Sequence, residues 1–238
     1  MRTIGMLGGM SWESTALYYR RVNEGVRERL GGLHSARILL ASVDFAEIEA
    51  LQRAGDWGRA GETLAAAARR LESGGADLLL LCTNTMHRVA PAIEAAVGIP
   101  LVHLADATAR SLVAAGIERV GLLGTRFTME QDFYRERLEA AGLTVVVPPP
   151  GDRERVHRII FDELCVGTVS PGSRTAMLEI MSRLCAAGAE AVIQGCTELT
   201  LLVDAGDTDI PLFDTTAIHA EAAVDAALAG HGSAAHGR

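Results

Sequence analysis

The chain has 238 residues, 49% of them hydrophobic and 22% charged, with a formal net charge of −8 and four cysteines. That length can bury a substantial core in one large domain or two small ones. The acidic balance and the lack of a basic cluster argue against a nucleic-acid partner, and no apolar run approaches the ~20 residues that span a bilayer. None of the cysteines forms a Cys-x-x-Cys pair, which suits a reducing compartment better than a disulfide framework. With a strand expected from Thr3 onward, no secretory leader is expected, and the cytoplasm is the expected location.

Thr3-Ile4-Gly5-Met6-Leu7 reads as a short apolar strand that enters Gly8-Gly9-Met10. A helix is expected over residues 11–30, with Ser11 as its N-cap, Glu13 in its first turn and Gly31-Gly32 as its stop. A second strand over 36–43 ends at Asp44-Phe45, and helices over 45–53 and 57–73 follow. Then comes Gly74-Gly75-Ala76-Asp77-Leu78-Leu79-Leu80-Leu81-Cys82-Thr83-Asn84-Thr85. Four consecutive leucines without polar alternation predict a strand covered on both faces of a parallel sheet. Ligands of such sheets bind beyond the carboxyl ends of the strands, where Cys82 and the three polar residues after it fall. A helix is expected over 86–96, closed by Gly98 and Pro100, then a strand at Leu101-Val102-His103 and a helix over 105–115.

From there the landmarks recur. Arg119-Val120-Gly121-Leu122-Leu123-Gly124-Thr125 echoes the amino-terminal strand, and Gly188-Ala189-Glu190-Ala191-Val192-Ile193-Gln194-Gly195-Cys196-Thr197 echoes the leucine strand. Ile210-Pro211 repeats Ile99-Pro100. Gly8 precedes Cys82 by 74 residues and Gly124 precedes Cys196 by 72, while the cysteine-to-proline intervals are 18 and 15. Three landmarks in one order at near-constant spacing indicate an internal duplication. The expected fold is α/β, two pseudo-symmetric Rossmann-like lobes with parallel sheets and an active site in the cleft between them. The strand and helix after Pro100 could belong to either lobe, and a disordered tail is expected at 230–238.

Free cysteine is commonly a small buried hydrophobe, and Cys165 and Cys185 take that reading. Cys82 and Cys196 differ, because each ends an apolar strand, precedes polar loop residues and could meet the amino end of the next helix. The rival use of Cys82 as a metal ligand with His87, five residues on, falls well short of the four-ligand pattern of tetrahedral zinc, and no metal is expected. Gly5-Met6-Leu7-Gly8-Gly9 departs from the dinucleotide fingerprint but can offer backbone N–H groups to an anion such as a carboxylate. Thr83, Asn84, Thr85, Thr125, Thr128 and Thr197 are neutral donors at the same sheet ends.

Gly8-Gly9-Met10-Ser11-Trp12-Glu13-Ser14, Val43-Asp44-Phe45, Cys82-Thr83-Asn84-Thr85-Met86-His87, Leu123-Gly124-Thr125-Arg126-Phe127-Thr128-Met129 and Gly195-Cys196-Thr197-Glu198-Leu199 together resemble the aspartate/glutamate racemase family, closest to its broad-specificity branch. The resemblance implies a cofactor-independent, PLP-free reaction in which two cysteines, here Cys82 and Cys196, serve opposite enantiomers. It also implies a homodimer, an amino-acid carboxylate as substrate, a return of the last strand and helix to the first lobe, so that the expected lobes are 1–98 with 210–229 and 99–209, and substrate contacts from Met10, Gln52, Thr83, Asn84, Thr85, Thr125 and Thr197. A cation for a distal carboxylate is expected of strict aspartate racemases. The neutral Gln52 in that region favours a broader substrate range. Cys196-Thr197-Glu198 also departs from the Cys-Thr-His of glutamate racemases. Related families suggest the alternatives of decarboxylation or cis-trans isomerisation of small dicarboxylic acids, and a non-catalytic amino-acid-binding module is a third. At least one of the two cysteines is expected to be partly thiolate near neutral pH in the free protein, and Cys82 or Cys196 is expected to be alkylated well before Cys165 and Cys185.

Overall fold

A computed structural model describes residues 1–229. The tail expected to be disordered lies outside them. The described chain divides into two compact units, Met1–His103 with the segment from His219 onward, and Leu104–Ile218.

The first unit is built from β1 (Ile4–Gly8), α1 (Trp12–Leu30), β2 (Ile38–Ser42), α2 (Phe45–Ala54), α3 (Trp57–Ser73) and β3 (Leu78–Leu81), then a 3-10 turn at Thr85–Val89, α4 (Ala90–Glu94) and β4 (Leu101–Val102). The second contains α5 (Leu104–Ala114), β5 (Arg119–Gly124), α6 (Arg126–Glu130), α7 (Asp132–Ala140), β6 (Thr144–Val146), α8 (Pro150–Arg158), α9 (Pro171–Ala186), β7 (Ala191–Gly195), α10 (Leu199–Leu202) and β8 (Leu212–Asp214). The last helix, α11 (Thr215–Leu228), starts in the second unit and continues into the first. Each unit holds a four-stranded, all-parallel sheet among the described residues, ordered β2-β1-β3-β4 and β6-β5-β7-β8. The fold is therefore α/β with two topologically matching sheets.

The leucine run becomes a strand because both of its faces are covered. Leu78 and Leu80 pack with Ile4, Met6, Tyr18, Val22 and Val224, while Leu79 and Leu81 pack with Leu7, Ile48, Leu64 and Ala68. The alternation has the period of two that a strand imposes. Each buried leucine contributes roughly 2 kcal/mol of transfer free energy. The repeated Gly-Ala-acid opening also has a physical cause. Gly75 and Gly188 both take φ +95°, a turn that side-chain-bearing residues rarely adopt. The acid two residues later grips the start of the neighbouring strand. Thr3 N–H donates to Asp77 Oδ2 at 2.6 Å, and Glu118 and Arg119 N–H donate to Glu190 Oε2 at 2.7 and 3.0 Å.

Two expectations need correction. The unit boundaries do not fall at 98/99 and 209/210. Leu101 and Val102 pair with Leu79 and Leu80 of β3, and Leu212–Asp214 pair with β7, so each Ile-Pro landmark opens a strand that completes the sheet just built. The crossings come later, at 103/104 and 218/219. The helix expected over 86–96 is a 3-10 turn followed by the five-residue α4, because Pro91 can start a helix but cannot sit inside one.

Candidate active site

In the first unit the strand ends β1 and β3 carry the candidate residues. Gly8 and Gly9 turn the chain out of β1. Gly9, at φ +92°, lies where an added Cβ would come within 2.2 Å of the Val43 carbonyl oxygen. Its N–H donates to Thr15 Oγ1 at 2.8 Å, and that hydroxyl donates to the Ser11 carbonyl at 2.8 Å. Cys82 follows β3 directly and is fully buried, on the α1 and α11 face with Leu78 and Leu80. Its thiol points at the Leu80 carbonyl oxygen at 3.6 Å. Thr83, Asn84 and Thr85 are buried beside it. Met10 and Met86 share the opposite core cluster, and Gln52 Nε2 donates to the Met86 sulfur at 2.9 Å. Arg53 turns outward and pairs with Glu49 on the exposed side of α2, so the buried group at this end of α2 is a neutral amide. The Asn84 Oδ1 oxygen is buried and has no hydrogen-bond partner.

Three buried histidines underlie this edge. His87 Nδ1 donates to the Thr83 carbonyl at 2.7 Å, which fixes the turn after Cys82 from below. His87 is therefore turned back onto its own backbone. Its ring meets those of His103 and His219 edge-on, with centroids 4.6 and 5.4 Å away. His219 Nε2 lies 2.6 Å from the Val102 carbonyl, which can only accept, so Nδ1 is left to accept from Tyr18 Oη at 3.0 Å. Among the described residues no group of three or more His, Cys, Asp or Glu could hold a metal ion.

In the second unit Cys196 follows β7 directly and lies on the α8 and α9 face, with Leu123, Val192 and Leu199. It is 9% exposed against 0% for Cys82. Its thiol donates to Glu198 Oε2 at 2.9 Å. Thr125 caps α6, accepting from Thr128 N–H at 3.4 Å, and Thr197 is buried beside the cysteine, its carbonyl accepting from Thr200. The structure thus groups Met10, Gln52, Cys82, Thr83, Asn84 and Thr85 in one unit, and Thr125, Cys196 and Thr197 in the other. Glu198, whose carboxylate meets the Cys196 thiol, was not singled out in the sequence. The available signal was an acid two positions after a strand-end cysteine.

The charge state expected of the free protein is also corrected. Burial pushes the Cys82 thiol far above its ordinary range. Burial first, and then the Glu198 carboxylate, does the same to Cys196, with the Cys165 sulfur adding to it. The helix amino ends that were expected to offset this are short: a 3-10 turn after Cys82 and the four-residue α10 after Cys196. Burial and the Glu198 charge both favour the thiol over the thiolate in the free protein. Cys165, expected to pack internally, is instead exposed, and Cys185 is half-buried.

Two parallel α/β sheets each carry a buried cysteine one residue beyond the strand that is third in order, β3 or β7. Residues 7–223 match the family model for Asp/Glu/Hydantoin racemase. A Yersinia pestis structure assigned provisionally as an Asp/Glu racemase is 56% identical, with a TM-score of 0.91 over 96% of this chain and 100% of that one. An aspartate racemase homologue from Pyrococcus horikoshii OT3 is 36% identical, with a TM-score of 0.84 over 95% and 99%. The broad-specificity amino-acid racemase RacX of Bacillus subtilis is 24% identical over 163 residues, 67% of this chain and 69% of that protein. The chain belongs to the Asp/Glu/Hydantoin racemase family and is an amino-acid racemase, an isomerase. Among the described residues no helix is long and apolar enough to cross a membrane.

Proposed function

We propose that the chain inverts the α-carbon of amino acids by a two-cysteine, cofactor-independent reaction in which Cys82 and Cys196 act on opposite faces of Cα. One repeated feature supports this most: a buried cysteine directly beyond the strand that is third in order in each sheet, followed each time by a threonine. As a thiolate, one cysteine takes the Cα proton. The electron pair left on carbon spreads into the substrate carboxylate, and the other cysteine, as a thiol, returns a proton from the far side. One proton is removed and one delivered, with no change of oxidation state. Since the thiol is favoured at both cysteines in the free protein, ionisation belongs to the bound complex. The substrate ammonium brings a positive charge that favours one thiolate. The partnerless Asn84 Oδ1 is an acceptor suited to that ammonium.

The substrate range follows from α2. Gln52 is buried and neutral, and Arg53 is turned outward. An amide grips a second carboxylate less firmly than a guanidinium fork, which favours several amino acids over strict aspartate. The test is a panel of single L-amino acids in D2O, followed by chiral separation. The D-product should carry deuterium at Cα. Cys82→Ser and Cys196→Ser should each lower interconversion at least a hundredfold, within the usual range for removing an acid–base group. Full activity in either variant would rule out the two-cysteine assignment.

A further inference from the structure

We propose that Glu198 is a positioning residue that keeps Cys196 proton-bearing between turnovers, holding its S–H by a direct hydrogen bond. This rests on the racemase reading and assigns a role that the strand-end cysteines do not by themselves explain. Cys196 Sγ and Glu198 Oε2 are 2.9 Å apart, well inside the distance allowed for a sulfur donor. A carboxylate can only accept, so the proton lies on sulfur and points at Glu198. The carboxylate comes from the same tight bend, where Leu199 N–H donates to the Cys196 carbonyl and Leu201 N–H to that of Glu198. That bend returns the Glu198 side chain towards the thiol.

Burial is the largest cause acting on the Cys196 thiol and the Glu198 carboxylate comes next, while the Glu198 backbone N–H opposes both. The thiol's surroundings are apolar, with Leu123, Met129, Leu164, Leu199, Leu202 and Val203 in the same cluster. The titratable groups acting on it are Glu198 and the Cys165 sulfur on the 3-10 turn Leu164–Val166, and no cation is among them. Cys82 has no such partner. Its thiol meets only a backbone carbonyl at 3.6 Å, and its protonation is set by burial alone. The two cysteines are therefore chemically unequal. Burial alone holds the proton on Cys82, whereas at Cys196 the Glu198 carboxylate adds to burial. Removing the negative charge at residue 198 should release Cys196 and leave Cys82 as it was.

The experiment compares the full-length chain with Glu198→Gln, reading iodoacetamide modification of each cysteine peptide by mass spectrometry against pH. Glutamine keeps the size of the side chain and removes the charge. The midpoint for Cys196 should fall by at least one pH unit, about a tenfold gain in modification at neutral pH. Cys82 should stay as slow as in the parent, since a variant that has lost its fold would expose both. The alkaline limb of kcat/KM should move to lower pH in step with the thiol midpoint. Glu198→Asp, which keeps the charge and shortens the reach, should restore most of the parent midpoint. An unmoved Cys196 midpoint in Glu198→Gln with Cys82 still protected would overturn the proposal. The thiol measurement needs no turnover. A parent chain that interconverts no amino acid would therefore sink the racemase reading while the midpoint still decides on Glu198.

Discussion

Cys82 and Cys165 show how position and chemistry separate within one chain. Cys82 has a carbonyl for a partner, no exposure and a thiol held protonated by desolvation, whereas Cys165 lies on the surface of a 3-10 turn. Alkylation needs a thiolate that the reagent can reach. In the free enzyme Cys165 should therefore react first and Cys185 next, with Cys82 and Cys196 slowest, and racemase activity should survive the first equivalent of iodoacetamide. Peptide mapping with a parallel activity assay checks this, and loss of activity in step with Cys165 modification would contradict it. This order reverses the one expected from the sequence. The positions of Cys82, Cys196, Thr83 and Thr197 were legible because a strand end is a local pattern. Their protonation was not, because it depends on what covers the thiol and on where a turn sends Glu198.

At the scale of elements, the duplication read from spacing has its physical origin in strand starts and strand ends. Asp77 and Glu190 secure the starts, and Gly8 and Gly124 thin the ends so that Thr15 and Thr128 can tuck beneath them. A Cβ added at Gly8 would lie 2.5 Å from Thr15 Cγ2 and 2.6 Å from its Oγ1, the atom that holds Gly9 N–H. Gly8→Ala should therefore cost about 1–3 kcal/mol, lowering Tm by roughly 2–4 °C for each kcal/mol in a chain of this size. Gly151, in the first turn of α8 with nothing within 4 Å of its added Cβ, is the matched control. Gly151→Ala should be neutral or gain a few tenths of a kcal/mol. Equal Tm values for the two variants would mean that the β1 end tolerates a methyl group. The repeat is also imperfect where it matters. Cys82 follows its acid by five residues and Cys196 by six, and the cysteines lie on different faces of their sheets, one with α1 and α11, the other with α8 and α9. The spacing was readable, but its consequence for the alternation of a strand shows only when the sheet faces are known. The unit boundaries were misread for a similar reason. A two-residue strand such as β4 has too little pattern to reveal which sheet it joins, and that is settled by long-range pairing.

For the whole molecule, one buried histidine sets an acid limit on stability. His219 sits in the first unit with its ring between Tyr18 Oη and the Val102 carbonyl, facing His87 and His103, with no acid among the causes acting on it. Burial is the main cause that holds it neutral, with its pKa lowered to about 3, and the neighbouring His103 acts in the same direction while the Val102 hydrogen bond opposes it. In the unfolded chain the same imidazole titrates near pH 6.5. The unfolded state therefore binds the extra proton, so the stability contribution is complete above about pH 6.5 and is lost as the pH falls from there towards 3. Between pH 7 and 5 the loss should be about 2 kcal/mol, a fall in Tm of roughly 4–8 °C. Glu190 does not account for that window. Lowered mainly by its backbone hydrogen bonds to Arg119 and Glu118, it loses its contribution only as the pH falls below its ordinary value of 4.5. His219→Gln removes the titration while keeping an amide that can donate to Val102 and accept from Tyr18. It should lower Tm at pH 7 and flatten the Tm profile between pH 7 and 5. A parent profile already flat across that range would show that the ring takes its proton without cost, and that this edge of the first unit opens to water well before the core does.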